Sequence, residues 1–384
     1  MRRTLVWLGV LALWACGEGS GDAPGTMNTG GTSGAGTGSG TGVGSDPQTK
    51  PGTDAPGNAS GGCTIPPEAR PAEASSPRTV VGDGSAASCT GAAFVTAVAK
   101  GGIITFNCGA DPVTITLSET AKIFNDTGPE IVIDGGNKVT LSGGGKVRIL
   151  YMNTCDQAQK WTTAKCDNQD HPRLTIQNLT FVDGSAKGDK TLKGGGGAIY
   201  ASGGRLKILN SRFFHNVCDD TGADVGGGAV RAFQQHNNQP LYVVNSTFGG
   251  AEKGQENICS NGAGLSAIGV SYTVINSVFI GNKAIGNGAN PAKAGTPGGG
   301  SGGAIYNDGN EFTLSLCGTR IENNSANEGG GAIFFVSNNR SGSLILRDST
   351  LKNNPSKGFE TSGYPGIFVL DKDNKPELIN STVQ

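Results

Sequence analysis

The sequence lacks several features that would place the protein in a familiar functional class. Its net charge is only −1, so it has neither the basic excess of a nucleic-acid-binding protein nor a polybasic patch for membrane surfaces. Its nine cysteines contain no Cys-x-x-Cys pair, which disfavours a metal-binding cluster. Its 65 glycines follow no triplet period, which excludes collagen. The apolar stretch Leu5–Trp14 is too short to cross a membrane as a mature helix.

The N-terminus has the pattern of a targeting segment followed by a tether. Met1–Ala15 joins two arginines to a short apolar stretch, as in an exported protein. The residues around Cys16 resemble a bacterial lipoprotein signal, which implies a lipid anchor on that cysteine and delivery to the outer membrane, facing the periplasm or the cell surface. An ordinary secretory signal is the alternative. Residues 16–62 are mostly Gly, Ser, Thr, Pro and Ala, which predicts a disordered linker.

The rest of the chain, residues 63–384, contains an internal repeat. A glycine-rich half such as GGGGAIY, at 194–200, precedes an alternating half such as LKILNSRFFHN, at 206–216. The alternating half is anchored by one recurring position, spaced 30 to 42 residues apart. Glycines and β-branched residues in each copy argue against helix pairs and favour short parallel strands that stack as a solenoid. The anchor positions are Asn178, Asn210, Asn245, Asn276, Gly318, Asp348 and Asn380.

Alternation within each copy predicts which side chains point inward. Leu206, Ile208 and Asn210 share one parity, so we expect the anchor amides on the inner wall, where stacked amides can bond to one another. Three residues after each anchor comes an apolar position, which we expect to form a second column at the next bend. Its members are Phe181, Phe213, Phe248, Phe279, Ile321, Leu351 and Val383.

The motifs of these copies resemble those of known proteins. The GGA[IV] motif and the FxxN motif, literal at Phe213/Asn216 and Phe279/Asn282, are similar to motifs of polymorphic outer-membrane proteins. They also resemble the wider parallel β-helix family, whose best-known enzymes are pectate lyases. The resemblance covers roughly residues 80–384 and implies an all-β, right-handed parallel β-helix. The FxxN pattern fails at Phe248.

Two features are expected at the ends and flanks of the solenoid. Ser88–Lys100 has the caps and the apolar face of a short helix, and we expect it to cover the N-terminal end of the solenoid. Eight cysteines remain after Cys16, and this even number in an exported chain indicates disulfides. Spacing favours two local pairs and one clip between coils, and leaves Cys63 and Cys317 unassigned. The three favoured pairs are Cys89–Cys108, Cys155–Cys166 and Cys218–Cys259.

One outer face of the solenoid is the candidate binding surface. In GGAIY the isoleucine points inward, so the next residue in each copy points outward, and so does the residue two positions further on. Stacked aromatic rings there would suit the apolar faces of sugar rings. The alternative is that the long inserts 187–193, 218–225 and 285–301 cover this face. The predicted ligand-binding set is Tyr200, Arg231, Phe233, Tyr306, Asp308 and Phe334.

An enzymatic alternative centres on the acidic group Asp219, Asp220 and Asp224. Carboxylates at this spacing could hold Ca²⁺, although a solvated loop is the simpler explanation and the one we favour. Lyases of the resembled family pair calcium with a basic residue, and Arg231 and Lys193 are the candidates. The Gly-His-Gly and Arg-x-Pro-x-x-Arg patterns of the family's hydrolases and lyases are absent. The sequence therefore favours a surface β-helix that binds polysaccharide or another surface macromolecule over a polysaccharide lyase or an adhesive spacer.

Overall fold

Parallel strands make up nearly all regular structure in the computed structural model, which describes residues 55–160, 163–189 and 194–384. The predicted signal segment, Cys16 and most of the predicted linker lie outside the described residues, and so does Lys193. The described chain forms 28 short strands, one α-helix and five 3₁₀ turns. Strands of successive coils pair in parallel to form long sheets, so the chain is an all-β parallel β-helix, as predicted. The 3₁₀ turns are Pro67–Ala69, Ala86–Ser88, Gln157–Gln159, Cys166–Asn168 and His236–Asn238.

The largest sheet has 17 strands and consists of two rows joined by long strands that bend around a corner. The two long strands are Glu130–Ser142 and Arg173–Val182. The first row comprises Thr79–Val81, Ile103–Phe106, Arg205–Leu209, Leu241–Val244, Tyr272–Ile275, Thr313–Cys317, Ser343–Arg347 and Glu377–Ile379. The second row comprises Val113–Thr116, Arg212–Phe214, Thr247–Phe248, Val278–Ile280, Arg320–Glu322, Thr350–Lys352 and Thr382–Val383.

Two further sheets close the coil. The second sheet has eight strands and the third has three. The second sheet comprises Ala121–Ile123, Leu150–Asn153, Ile199–Ser202, Val230–Phe233, Leu265–Ile268, Ile305–Gly309, Ile333–Ser337 and Ile367–Leu370. The third comprises Ile258–Cys259, Lys283–Ala284 and Ser325–Ala326. The first two strands of the second sheet were missed, because their coils contain no GGA motif.

The core follows the predicted parity. Side chains of one parity lie directly above one another in successive coils, and each is fully buried, because strands at one spacing expose the same face to the interior. One such column contains Ile208, Val243, Val274, Leu316 and Leu346. The predicted phenylalanine column is also present. Rings of Phe181, Phe213, Phe248 and Phe279 stack with centroids 4.6–4.9 Å apart and interplanar angles of 5–6°.

The anchor asparagines occupy a corner and not the inner wall, so that part of the prediction is wrong. All seven anchor positions have φ between 45° and 60°, the left-handed conformation that asparagine and glycine tolerate best. At Asn210 this conformation ends the first-row strand Arg205–Leu209 and leaves the side chain half-buried. The amides still bond in sequence, from Asn245 to Asn210 and from Asn210 to Asn178, each at 3.2 Å. The corner therefore carries a half-buried amide ladder.

The fully buried amide ladder comes from the FxxN motif instead. Each Nδ2 donates to the Oδ1 of the next asparagine at 2.8–3.0 Å. Every member is at most 5% exposed, so each amide must find its partners inside the protein. The coil of Phe248, where the motif fails, supplies Asn257 after a short insert. The ladder consists of Asn216, Asn257, Asn282, Asn324 and Asn354.

The N-terminal end is capped as predicted. The helix Gly91–Lys100 begins after Thr90, whose hydroxyl accepts a hydrogen bond from the backbone N–H of Ala93 at 3.2 Å. Phe94 and Val98 are fully buried, and the helix packs on the strands Ala121–Ile123 and Thr79–Val81. It therefore covers apolar core that the first coil would otherwise expose.

The three predicted disulfides form, and so does the pair that the sequence left unassigned, Cys63–Cys317. This fourth bond fixes a segment, residues 55–75, that we call the strap. Part of the strap was predicted to be linker, yet its Gly57 N–H donates to Thr247 at 2.8 Å and its Asn58 N–H donates to Asn276 at 2.8 Å. The segment 55–62 therefore packs on the solenoid.

An outward-facing apolar column explains why the strap lies where it does. Leu209, Val244 and Ile275 are in register on the outer side of the first-row strands, and each is at most 3% exposed. Ala69 of the strap is fully buried among them. Burying apolar surface of this kind is the main favourable term in folding, so the strap is an integral layer of the fold.

Candidate functional site

The predicted outward column of the second sheet is present and in register. Each member faces its counterpart one coil away, as the alternation required. The column extends one coil further than predicted, to Tyr151, whose ring lies 5.5 Å from that of Tyr200. Its members are Tyr151, Tyr200, Arg231, Ser266, Tyr306, Phe334 and Phe368.

This first column is covered, so an open aromatic platform does not exist at these positions. Tyr200 is 6% exposed, Arg231 0%, Tyr306 1% and Phe334 2%. Burial raises the pKa of the Tyr306 hydroxyl well above its ordinary value. Of the two arrangements that the sequence left open, the structure shows the one in which inserts fold over the face.

Arg231 is the most unusual member of the column. One terminal nitrogen donates to the Ser266 hydroxyl and the other to the backbone oxygen of Asp224 at 2.5 Å. The guanidinium lies 4.6 Å from the ring centroid of Phe233, and its Nε has no partner among the described residues. Burial lowers the pKa of this guanidinium. Burying a cation among neutral oxygens and an aromatic ring costs free energy. This cost indicates that the residues around the Arg231 guanidinium have a specific role.

A second buried arginine lies two coils away and was missed. Arg148 donates to the backbone oxygens of Gly195 and Gly196 at 2.8 and 2.9 Å, and pairs with Asp189 at 2.9 Å. Its guanidinium lies 5.3 Å from the Tyr200 ring. It precedes a strand without a GGA motif, so the repeat pattern gave no sign of it. Arg148 fixes the glycine run that opens the first complete copy.

Among the described residues, two of the three inserts lie over Arg231 and Tyr306. The segment 286–300 is a hairpin whose legs pair at Ala289 and Gly299, with both N–H···O distances at 2.8 Å. Its Asn290 Nδ2 donates to the Tyr306 hydroxyl at 3.0 Å, to Asp224 at 3.3 Å and to Asp308 at 3.4 Å. The loop 218–225 contacts the hairpin and places the Asp224 carbonyl over Arg231. Both inserts are among those that the sequence indicated as possible covers of this face.

A second outward column, two residues further along each strand, remains partly open. Ser202 and Val336 are buried, whereas Phe233, Ile268, Asp308 and Leu370 are half-buried. These positions are in register from coil to coil. Of the predicted ligand-binding residues, Phe233 and Asp308 thus keep surface that a ligand can reach.

Asp308 is the polar centre of this second column. Its carboxylate accepts hydrogen bonds from the Asn338 amide at 3.0 Å and the Tyr306 hydroxyl at 3.2 Å. Burial nevertheless raises the pKa of Asp308 above its ordinary value, and the nearby Asp224 adds to the effect. The carboxylate is therefore an acceptor whose charge is only partly compensated.

Aromatic side chains continue the site toward the C-terminal coils. Tyr306 and Phe334 stack at 4.8 Å with an interplanar angle of 4°, and Phe368 follows at 5.3 Å. Phe359, from the loop before the last coil, packs edge-on against Phe368 at 4.7 Å. Phe359 and Phe368 are half-buried, so this end of the face combines accessible ring edges with the carboxylate of Asp308.

The three loop carboxylates considered for calcium have separate partners. Asp219 accepts from the Gly188 N–H at 2.7 Å, Asp220 pairs with Lys187 at 2.8 Å, and Asp224 accepts from Asn290. Among the described residues, the one cluster of three potential ligands is Cys63, Cys317 and Asp348, in which both sulfurs belong to a disulfide. Calcium binding stays a prediction.

Comparison with protein-family models, with curated proteins and with solved structures gave no match for this chain. Over the described ranges, no helix has the length and apolarity needed to cross a membrane. The geometry of the outer face is therefore the basis for inferring a function.

Proposed function

We propose that the protein is a lipid-anchored β-helix of the bacterial outer membrane that binds a polysaccharide, or another surface macromolecule, along the second column. The observation that carries this proposal is the in-register row of accessible side chains at Phe233, Ile268, Asp308 and Leu370. Successive coils repeat this row at about 4.8 Å. Four of the five coils from Phe233 to Leu370 offer an accessible side chain in register, and Val336 is the buried exception. A polymer lying along the row can therefore contact several coils at a regular spacing.

The chemistry of the row suits sugar rings. Ring edges and apolar side chains can contact the C–H faces of a saccharide, while the Asp308 carboxylate and the exposed Asn338 amide can bond to its hydroxyl groups. Mixed apolar and precisely oriented polar groups are typical of carbohydrate and small-molecule sites. The motif resemblance to polymorphic outer-membrane proteins and to the pectate-lyase-like β-helices supports a surface protein of this kind.

A glycan array tests the proposal directly. The mature chain should bind a subset of polysaccharides, and Phe233→Ala and Asp308→Asn should each weaken binding by roughly tenfold or more, the loss of one good contact. Asp126→Asn is the matched control, because this exposed carboxylate pairs with Lys160 at 3.6 Å and lies outside the row. Binding that is equal in all four proteins would contradict the proposed site.

The anchor is tested separately. The signal pattern around Cys16 supports lipidation, so metabolic labelling with a fatty acid should mark the wild-type chain and leave Cys16→Ser unlabelled. The variant should also leave the membrane fraction. Label retained by the variant would contradict the anchor and leave the binding proposal unaffected.

A polysaccharide lyase is the second candidate, because Arg231 bonds the backbone oxygen of Asp224 in the acidic loop, and burial lowers its pKa in the direction that a general base requires. Arg231 is fully buried, so this reaction would also require the cover to open. Incubation with polyuronates should then produce the absorbance of new C=C bonds, and sensitivity to a chelator would implicate calcium. No absorbance change with any polyuronate would remove this candidate. An adhesive or structural spacer predicts neither glycan binding nor cleavage.

A further inference from the structure

The hairpin that covers the first column is held by few buried apolar side chains, unlike the strands of the solenoid. Within the 286–300 hairpin, all of which is described, Ala289 is the one buried apolar side chain. The tip residues 291–295 are exposed, and the legs contain four glycines with φ between 84° and 107°. Segments with few buried apolar contacts open locally at low cost while the core stays folded. The hairpin has the composition of such a segment.

Glu328 joins the hairpin to the next coil. One carboxylate oxygen accepts from the Gly288 N–H at 2.8 Å, and the other pairs with the Lys293 ammonium at 2.7 Å. The Glu328 side chain is 8% exposed and that of Lys293 is 60% exposed. Burial acts to raise the pKa of Glu328, but the bonds from Lys293 and Gly288 hold it below its usual value. Glu328 is therefore an ionised clamp that holds the first leg and the tip of the hairpin.

The contact between the hairpin and the binding face is weaker than this clamp. Asn290 has two amide hydrogens for three acceptors, and two of its three distances, 3.3 and 3.4 Å, are long for such bonds. The acceptors are the Tyr306 hydroxyl and the carboxylates of Asp224 and Asp308. A ligand that replaces Asn290 must also donate hydrogen bonds. Hydroxyl and amine groups of a saccharide meet this requirement, whereas a uronate carboxylate would face two like charges.

We propose that the 286–300 hairpin is a lid that opens to admit ligand onto Tyr306 and the stacked rings beside it, with the Glu328–Lys293 pair as its latch. Opening replaces the Asn290 contacts with ligand contacts and joins the buried first column to the half-open second column. The lid rests on the proposed binding function for its purpose, but its motion does not depend on any ligand.

Hydrogen exchange of the full chain without ligand tests the lid. In the wild type, amides of 286–300 should exchange faster than those of the flanking strands Leu265–Ile268 and Ile305–Gly309. Lys293→Ala removes the latch and should accelerate the hairpin amides by roughly tenfold, with strand amides unchanged. Lys357→Ala is the matched control, because the Lys357 ammonium bonds Asn327 at 3.0 Å instead, and should have no effect on the hairpin.

Chemical nitration adds a readout at the site itself. Opening should make Tyr306 more reactive toward nitration in Lys293→Ala and in Glu328→Gln. Glu328→Gln preserves the size of the side chain, so it serves as the second variant if Lys293→Ala folds poorly. Hairpin amides as protected as strand amides, and unchanged in both latch variants, would overturn the lid. Lid opening without glycan binding would leave the lid standing and contradict the proposed function. Glycan binding by a protein whose hairpin stays protected in both latch variants would contradict the lid and leave the proposed function standing.

Discussion

Removing one amide from the buried ladder should cost far more stability than removing one from the corner ladder. The Asn282 side chain makes three buried hydrogen bonds: it donates to Phe248 O at 3.0 Å and to Asn324 Oδ1 at 2.8 Å, and it accepts from Asn257 Nδ2 at 2.8 Å. At about 1 kcal/mol each, with a further penalty for partners left unpaired, Asn282→Ala should lower the free energy of unfolding by about 3–4 kcal/mol.

The corner offers a matched comparison. Asn210 makes two amide bonds of 3.2 Å at a half-buried position, and its φ of 47° is one that glycine adopts without strain. Water can replace the lost partners there. Asn210→Gly should therefore lower the free energy of unfolding by less than about 1 kcal/mol.

The measurement of unfolding must take the repeat architecture of the solenoid into account. Stacked coils unfold partly independently, so a single two-state transition cannot be assumed. Denaturant unfolding followed by circular dichroism gives the overall change, and hydrogen exchange in the coils of Asn257 and Asn324 gives the local one. Equal effects of Asn282→Ala and Asn210→Gly, within about 1 kcal/mol, would refute the view that burial sets the value of these ladders.

Three further predictions concern the core, the strap and the acidic centre of the face. Phe248→Ala opens a cavity between rings 4.6 and 4.7 Å away and should cost about 3–5 kcal/mol in thermal unfolding, whereas Phe248→Leu should cost much less. Cys63→Ser should make the strap sensitive to limited proteolysis while the strands resist it. The folded-state pKa of Asp308 is raised above the ordinary value of 3.8. Its contribution to stability is therefore complete below pH 3.8 and is lost as the pH rises through the folded-state pKa. Asp308→Asn should flatten that decline in melting temperature.

The repeat fixed much of the fold in advance, because period-two alternation and glycine punctuation act within each coil. It placed the phenylalanine column and the parity of the second sheet correctly, while capping residues and an apolar face identified the N-terminal helix. It misplaced the anchor amides, since alternation extrapolates a strand that Asn210 in fact ends by adopting a left-handed conformation. Nothing in the parity of neighbouring residues marks where a strand stops.

The candidate site was harder to predict, because its accessibility depends on contacts between distant inserts. The alternation correctly pointed Tyr306 outward, but its burial follows from Asn290 above it and from Glu328, which holds the hairpin from another coil. The inserts are long enough to form a cover, but its presence and its path depend on a few hydrogen bonds between residues far apart in sequence. Sequence alone could therefore state both arrangements and not choose between them.

Outward-facing apolar columns could have helped to choose between an open and a covered outer face from the sequence. Such a column on a solenoid has to be covered, and here Leu209, Val244 and Ile275 are covered by the strap. The second sheet has its own column, and its cover is incomplete toward the C-terminal coils, where Phe368 and Leu370 are only half-buried. This end therefore offers uncovered apolar surface on the same face as the carboxylate of Asp308, and the proposed polymer would gain both kinds of contact by binding there.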